Sequence, residues 1–281
     1  MQYKTLIDVQ ALASNLGHPD WVLFDCRFDL ANPAAGREAY AEGHIPGAYY
    51  ADLDGDLSGE KSPSTGRHPL PDPATFARTL GAWGVDRMVQ VVVYDADNGA
   101  FASRLWWMLR WMGHDAVAVL DGGYRAWTEA AGAVTTALPT RAARTFEAEL
   151  RPGLVVPLAA LDNGDRGPLI DARTPERYRG ESEPIDPVAG HIPGALNLPL
   201  QGNLDARGRF RAAAELRERY AAALGGASPE AAIHYCGSGV SACHNVLAME
   251  HAGLHGSRLY VGSWSEWIRD GRRPVATGAE R

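Results

Sequence analysis

One ten-residue run concentrates the reactive chemistry of this chain: Ile233-His234-Tyr235-Cys236-Gly237-Ser238-Gly239-Val240-Ser241-Ala242. An apolar stretch ends at a cysteine, small residues follow, and the pattern then turns helical. Gly237 and Gly239 let the backbone curl so that successive N–H groups face inward, the form of an anion-binding nest. A helix N-terminus beside the nest adds partial positive charge. A cysteine at the centre of such a cradle is expected to have a depressed pKa and to stand largely as thiolate, the nucleophilic form. The N–H groups from Gly237 through Gly239 and Val240 to Ser241 would hold a bound sulfur anion or oxyanion. A cysteine that only fills core space needs neither a glycine-rich loop nor a helix start beside it. Cys26, after an apolar strand, and Cys243, inside the helix, read as such core residues. A cysteine phosphatase would use a similar cradle, but it wants an arginine six residues after the nucleophile, and that position is Ala242.

The elements that must position this run occur twice. Phe24-Asp25-Cys26-Arg27 is echoed by Ile170-Asp171-Ala172-Arg173, and Gly43-His44-Ile45-Pro46-Gly47-Ala48 by Gly190-His191-Ile192-Pro193-Gly194-Ala195. Val91-Val92-Val93-Tyr94-Asp95 has its partner in Ala232-Ile233-His234-Tyr235-Cys236, and Leu120 to Trp127 in Tyr260 to Trp267. Four matches in one order mean two tandem domains, consistent with about 150 residues each in a chain of 281. The expected division is an N-terminal domain over 1–138, a linker over 139–152 and a C-terminal domain over 153–281. Aligning the halves puts Asp95 where Cys236 stands, so the first half carries no nucleophile there. His44 and His191, repeated in both halves, read as structural loop residues. Val22 to Phe24, Val89 to Tyr94, Leu169-Ile170 and Ala232 to Tyr235 read as buried strands. Phe101 to Met112 and Asn245 to His251 read as helices, the second closed by Gly253. Alternating strands and helices predict an α/β fold in each half: an open, mainly parallel sheet with helices on both faces, and ligands at the carboxyl ends of the strands.

Composition narrows the function classes. Apolar residues make up 46% and charged residues 22%, as in an ordinary globular protein. A net charge of −7 disfavours a nucleic-acid partner, which calls for clustered Lys and Arg. No stretch approaches the ~20 apolar residues that cross a bilayer. The N-terminal segment lacks a signal-like apolar core, so a cytoplasmic location without membrane partners is expected. Three cysteines fit a reducing compartment. No His/Cys spacing suggests a metal, and no cofactor is expected.

Taken together, the two GHIPGA runs and the cysteine loop resemble the tandem-domain rhodanese family of sulfurtransferases over essentially the whole chain. Within it, Cys-Gly-Ser-Gly-Val followed by Ser is similar to the loop of the 3-mercaptopyruvate branch. The thiosulfate branch has Arg and Lys just after the cysteine, where this chain has Gly237 and Ser238. The resemblance implies a two-step reaction in which Cys236 takes sulfur from the donor as a persulfide and passes it to a thiol, a thioredoxin-like reductant or cyanide. It further implies that Ser238 works with a histidine and an aspartate of the first domain in a proton relay; His68 and Asp54 match these by position. Arg177 matches the first of two arginines that bind the donor's carboxylate. Where the second is expected, before the second GHIPGA run, the chain reads Glu183-Pro184-Ile185-Asp186-Pro187, leaving Arg179 as a substitute. The alternatives are a thiosulfate donor, a carrier delivering persulfide sulfur to another protein, and a non-catalytic binding module.

Overall fold

A computed structural model describes residues 2–162 and 167–279. It divides into two compact units. The first holds the chain up to Gly59 together with Leu70–Arg151 and Ala206–Phe210; the second holds Glu60–Pro69, Pro152–Asp205 and the chain from Arg211. Two segments thus leave the contiguous division that the repeats suggest. Ala206–Phe210 is held by the helix Gly123–Glu129 and by the end of the first sheet: Arg125 donates to the Arg207 carbonyl at 2.7 Å, and the Phe210 N–H to Asp121 at 2.9 Å. Glu60–Pro69 is poor in apolar side chains and bonds to the second unit through polar backbone. The Arg67 N–H donates to Ser265 Oγ at 3.0 Å, and Arg269 donates to the Thr65 carbonyl at 3.3 Å.

The first unit builds five parallel strands in the order β1 (Leu6–Ile7), β5 (Val117–Leu120), β4 (Gln90–Tyr94), β2 (Trp21–Asp25), β3 (Ala48–Tyr50). β4 and β5 are buried along their whole length, as parallel strands covered on both faces must be. Alternate residues serve opposite faces. Leu23, Val92, Tyr94, Ala118 and Leu120 pack with Leu12 of α1 (Val9–Ser14) and Trp127 of α5 (Gly123–Glu129). Phe24 faces the other way, its ring 5.0 Å from Trp83. Trp83 ends α3 (Pro73–Ala82), which follows α2 (Ala35–Glu42) in the chain. The helix read from Phe101 to Met112 is α4 (Ala102–Trp111), and it packs on β4 and β5. Aspartates start two helices: Asp8 accepts from the Ala11 N–H, and Asp72, ahead of Pro73, from Thr75. The stretch read as a linker has neither helix nor strand up to Arg151. It lies along the first unit, with the Arg144 N–H on the Gly81 carbonyl and the Arg151 N–H on Trp111, both at 2.9 Å.

The second unit repeats the plan with four parallel strands: β7 (Leu196–Asn197), β6 (Leu169–Asp171), β8 (Ile233–Tyr235) and β9 (Arg258–Leu259). A single parallel bridge between Val155 and Leu259 stands where β1 joins β5 in the first unit. One face carries α6 (Leu158–Asp162), α7 (Pro175–Arg179) and α10 (Ser263–Trp267), with Leu161, Tyr178, Trp264 and Trp267 in the core. The other carries α8 (Ala213–Leu224) and α9 (Ala242–His251). There, His234 of β8 meets Tyr220 edge-on and Met249 at 3.1 Å. The helix α9 begins three residues earlier than periodicity alone suggests, directly after the cysteine loop. Among the described residues no helix is long and apolar enough to cross a membrane.

Candidate functional site

The repeated residues build the same frame twice. Asp25 and Asp171 end their strands and each clamps the arginine two residues on, at 2.6 Å. Those arginines, Arg27 and Arg173, then donate at 2.7 Å to the carbonyls of Gly43 and Gly190, which open the two GHIPGA runs. Tyr94 and Tyr235 each accept the N–H of the isoleucine in the same run at 3.2 Å. His44 stacks on Tyr40 with ring centres 3.9 Å apart, and His191 on Tyr178 at 3.7 Å. Both histidines are fully buried and pinned by antiparallel bridges to Thr135 and Ala276. They hold the frame, and the strand ends it fixes carry the loops.

In the first unit the loop after β4 closes on its own side chain. Buried Asp95 accepts N–H groups from Gly99 at 2.9 Å, Asp97 at 3.3 Å, Phe101 at 2.9 Å and Ala102 at 3.1 Å. Burial holds this carboxyl above its usual range although the donors pull it down. The loop is thus a cradle of N–H donors filled by its own carboxyl group. Gly99, at φ +82°, gives it the required left-handed turn.

The second unit has the same turn, with Gly239 at φ +75°, and a thiol in place of the carboxylate. Gly239 is required twice over, since a Cβ there would sit 2.2 Å from the Val261 carbonyl oxygen. Cys236 is 1% exposed at the end of β8. Its N–H donates to Ser263 Oγ at 3.1 Å, and its carbonyl accepts from the Trp264 N–H at 3.0 Å. The Gly237 carbonyl accepts from Ser265 at 2.9 Å. Ser263 adopts φ +55°, a costly left-handed conformation for a residue with a side chain, where the first unit has Gly123 at +60°. None of the three cysteines forms a disulfide. Cys243 is fully buried with its Sγ on the Gly239 carbonyl, and burial beside Asp25 pushes the Cys26 thiol far up. Both are core, as expected of their places in the sequence.

Ser238, 4% exposed, lies 2.7 Å from Nδ1 of His68, also 4% exposed. The two are 170 positions apart in sequence, and the Glu60–Pro69 segment brings them into one unit. Asp54 is half-buried in the first unit, in the turn after β3, with its N–H on Asp52 at 2.9 Å.

Arg177 extends from α7 into an acidic clamp. Its Nε and Nη2 donate to Glu183 at 3.1 and 2.7 Å, and Nη2 also reaches Asp186 at 3.2 Å. The other Asp186 oxygen accepts from Nη1 of Arg67. Burial opposes ionisation of Glu183, yet the hydrogen bond and charge of Arg177 hold its carboxyl below the usual range. Burial keeps that of Asp186 raised in spite of Arg67. Both guanidiniums overlook Gly237: a Cβ there would meet Arg67 Nη2 at 2.8 Å and Arg177 Nη2 at 3.4 Å. Arg179, the substitute suggested by sequence, instead pairs with Glu181 at 2.7 Å. Sequence reading did not single out Arg67, although its neighbour His68 carried a signal, nor Ser263, although it lies inside the repeated stretch Tyr260 to Trp267.

Among the described residues no His, Cys, Asp and Glu cluster could hold a metal ion. A profile of the rhodanese-like domain matches residues 8–130 and 157–270. The chain is 48% identical to a probable 3-mercaptopyruvate sulfurtransferase of Pseudomonas aeruginosa over 99% of its own length and all of that protein. It is 39% identical to a putative thiosulfate sulfurtransferase of Mycobacterium tuberculosis, covering 98% of each. The solved structure of 3-mercaptopyruvate sulfurtransferase from Leishmania major superposes with a TM-score of 0.84 at 32% identity, over 97% of this chain and 76% of that one. With two matched domains, full-length relatives and a duplicated parallel-sheet architecture, this chain belongs to the rhodanese family.

Proposed function

We propose that the chain is a sulfurtransferase that takes sulfur from 3-mercaptopyruvate onto Cys236 and hands it to a thiol acceptor. In the first step the Cys236 thiolate attacks the donor sulfur. The carbon–sulfur bond breaks and its electron pair stays on carbon as the enolate of pyruvate. The thiol proton of the donor leaves the sulfur and a proton reaches that carbon, so the products are Cys236 persulfide anion and pyruvate. In the second step an acceptor thiolate, for instance of a thioredoxin-like reductant, or cyanide takes the outer sulfur and restores the thiolate. Two such half-reactions give ping-pong kinetics.

The observation that carries this reading is the buried Ser238–His68 pair, 2.7 Å apart and two residues from the nucleophile. A thiol donor brings a proton that must be moved; thiosulfate brings none. The motif match adds Asp54 to this relay. The filled cradle of Asp95 supports the role of Gly237, Gly239, Val240 and Ser241 as the backbone that would stabilise the outer sulfur, because the corresponding loop binds an anion with four N–H groups. The charge balance agrees. Arg67, Arg173 and Arg177 are matched by Asp171, Glu183 and Asp186. The cluster therefore offers directed donors rather than surplus positive charge, which suits a planar monoanionic carboxylate better than a dianion. Three cysteines without a disulfide are consistent with a reducing compartment such as the cytoplasm.

Thiosulfate as donor is the second reading, favoured by the two guanidiniums beside Gly237. Mass spectrometry of the intact protein after each donor separates the cases: a gain of one sulfur atom on Cys236 is expected with mercaptopyruvate, and none in Cys236→Ser. A much larger kcat/KM for thiosulfate would reverse the choice of donor. Transfer activity surviving in Cys236→Ser would overturn the thiolate chemistry altogether.

A further inference from the structure

We propose that the first unit binds a phosphate chain of two or three groups, inorganic or carried by a nucleotide, in a cavity edged by Arg125, Arg207 and Arg209. Strand β5 ends at Leu120, and Gly122 follows at φ +84° before α5 begins. Beside this turn lies a cavity of about 330 Å³, lined by Gly122, Arg125, Ala126, Glu129, Arg207 and Arg209. All six belong to the first unit. The carboxyl ends of strands are where parallel α/β sheets take their ligands. The volume is at the small end of ligand pockets, and among the described residues the lining includes no aromatic or large apolar side chain. A compact polar ligand suits it; an extended or apolar one has nothing to pack on. Three guanidiniums face one carboxylate there, in a chain whose net charge is −7. Guanidinium forks match phosphate oxygens in pairs, and three forks exceed what a single carboxylate can occupy.

The lining is held in place from two sides. Arg125 Nη2 donates to the Arg207 carbonyl at 2.7 Å, an approach that needs glycine at 208: its φ is +74°, and a Cβ there would sit 2.7 Å from Arg125 Nη2. The Phe210 N–H on Asp121 fixes the far end of the segment at 2.9 Å and engages the acid next to Gly122. Arg209 lies over the turn, its Cγ and Nε each 3.5 Å from the point a Gly122 Cβ would occupy. This tether uses the backbone of Arg207, so it does not require arginine side chains at 207 and 209. Duplication supplies the comparison for Arg125. In the second repeat Gly262 and Trp267 keep the places of Gly122 and Trp127, but Ser265, Glu266 and Arg269 stand where the first has Arg125, Ala126 and Glu129. The shared frame therefore does not demand the arginine.

Isothermal titration of the full chain with inorganic diphosphate, in phosphate-free buffer, tests the site. Saturable binding is expected, with orthophosphate about 10-fold weaker or more because it presents a single group. The double variant Arg207→Gln/Arg209→Gln leaves the Arg125 tether intact and should weaken diphosphate about 10-fold or more. Arg209→Lys keeps the charge without the planar fork and should fall between the double variant and wild type. A thermal melt and sulfur transfer without diphosphate, both close to wild type, confirm that the variants are folded. Adenosine triphosphate and inorganic triphosphate distinguish the sources: equal affinity assigns the phosphate chain alone, and tighter nucleotide binding assigns a nucleotide. No saturation by diphosphate or either triphosphate up to about 10 mM would overturn the proposal. So would orthophosphate binding as tightly as diphosphate. Diphosphate binding that survives the double variant and is lost in Arg67→Ala would place the anion beside Gly237 and overturn it as well.

Discussion

A buried hydroxyl paired with a buried imidazole can shuttle a proton only where one must be moved. Replacing Ser238 by Ala or His68 by Asn should therefore lower turnover with mercaptopyruvate by about 10²- to 10⁴-fold, the usual range for a lost acid–base group. The loss with thiosulfate should be much smaller, and steady-state rates with the two donors check it. Equal losses would mean that the pair only supports the loop. The proposed choice of nucleophile among three cysteines is likewise a matter of surroundings. Cys26 lies against Asp25, and burial pushes its thiol far up; Cys236 opens the glycine-containing loop between β8 and α9.

At the scale of elements, the strand–loop–helix that carries Cys236 was legible because its grammar is local: apolar strand, cysteine, glycines, helix. The clamp that flanks it was not, because its members meet across the chain. Asp186 and Arg67 are 119 positions apart, and the stretch before the second GHIPGA run, where a second arginine is expected, holds Glu183 and Asp186 instead, with Arg179 as the nearby substitute. The aspartate at 186 was visible; the cation it binds was not. Strand β8 also makes a prediction of its own. His234 is fully buried and stays neutral, burial driving its pKa to about 3. In the unfolded chain it titrates near 6.5. Its contribution to stability is thus intact above pH ~6.5 and is lost as pH falls toward about 3, since the unfolded state takes up a proton that the folded state refuses. The slope approaches 1.4 kcal/mol per pH unit below 6.5. Urea titrations of wild type and His234→Leu at pH 7.5 and pH 5 should show the variant losing less stability on acidification. Parallel losses would place the acid sensitivity elsewhere.

Over the whole molecule, duplication was the plainest message of the sequence, and the two sheets repeat it strand for strand, down to the bridge at Val155. What alignment could not convey is that the copy with Asp95 in place of Cys236 has filled its loop. Asp95→Ala should cost about 2–5 kcal/mol, because four N–H groups would lose one buried acceptor. Asp95→Asn should cost less, and chemical denaturation measures both. A neutral Asp95→Ala would mean that water replaces the carboxylate at no cost.

The affiliation of Glu60–Pro69 has a practical corollary. A fragment cut before Pro152 would keep Cys236 and lose Arg67 and His68 together. On the proposed reading the first half of the sequence is a donor of parts, so gene fission at the obvious seam would separate the proposed nucleophile from His68, its proposed proton-transfer partner.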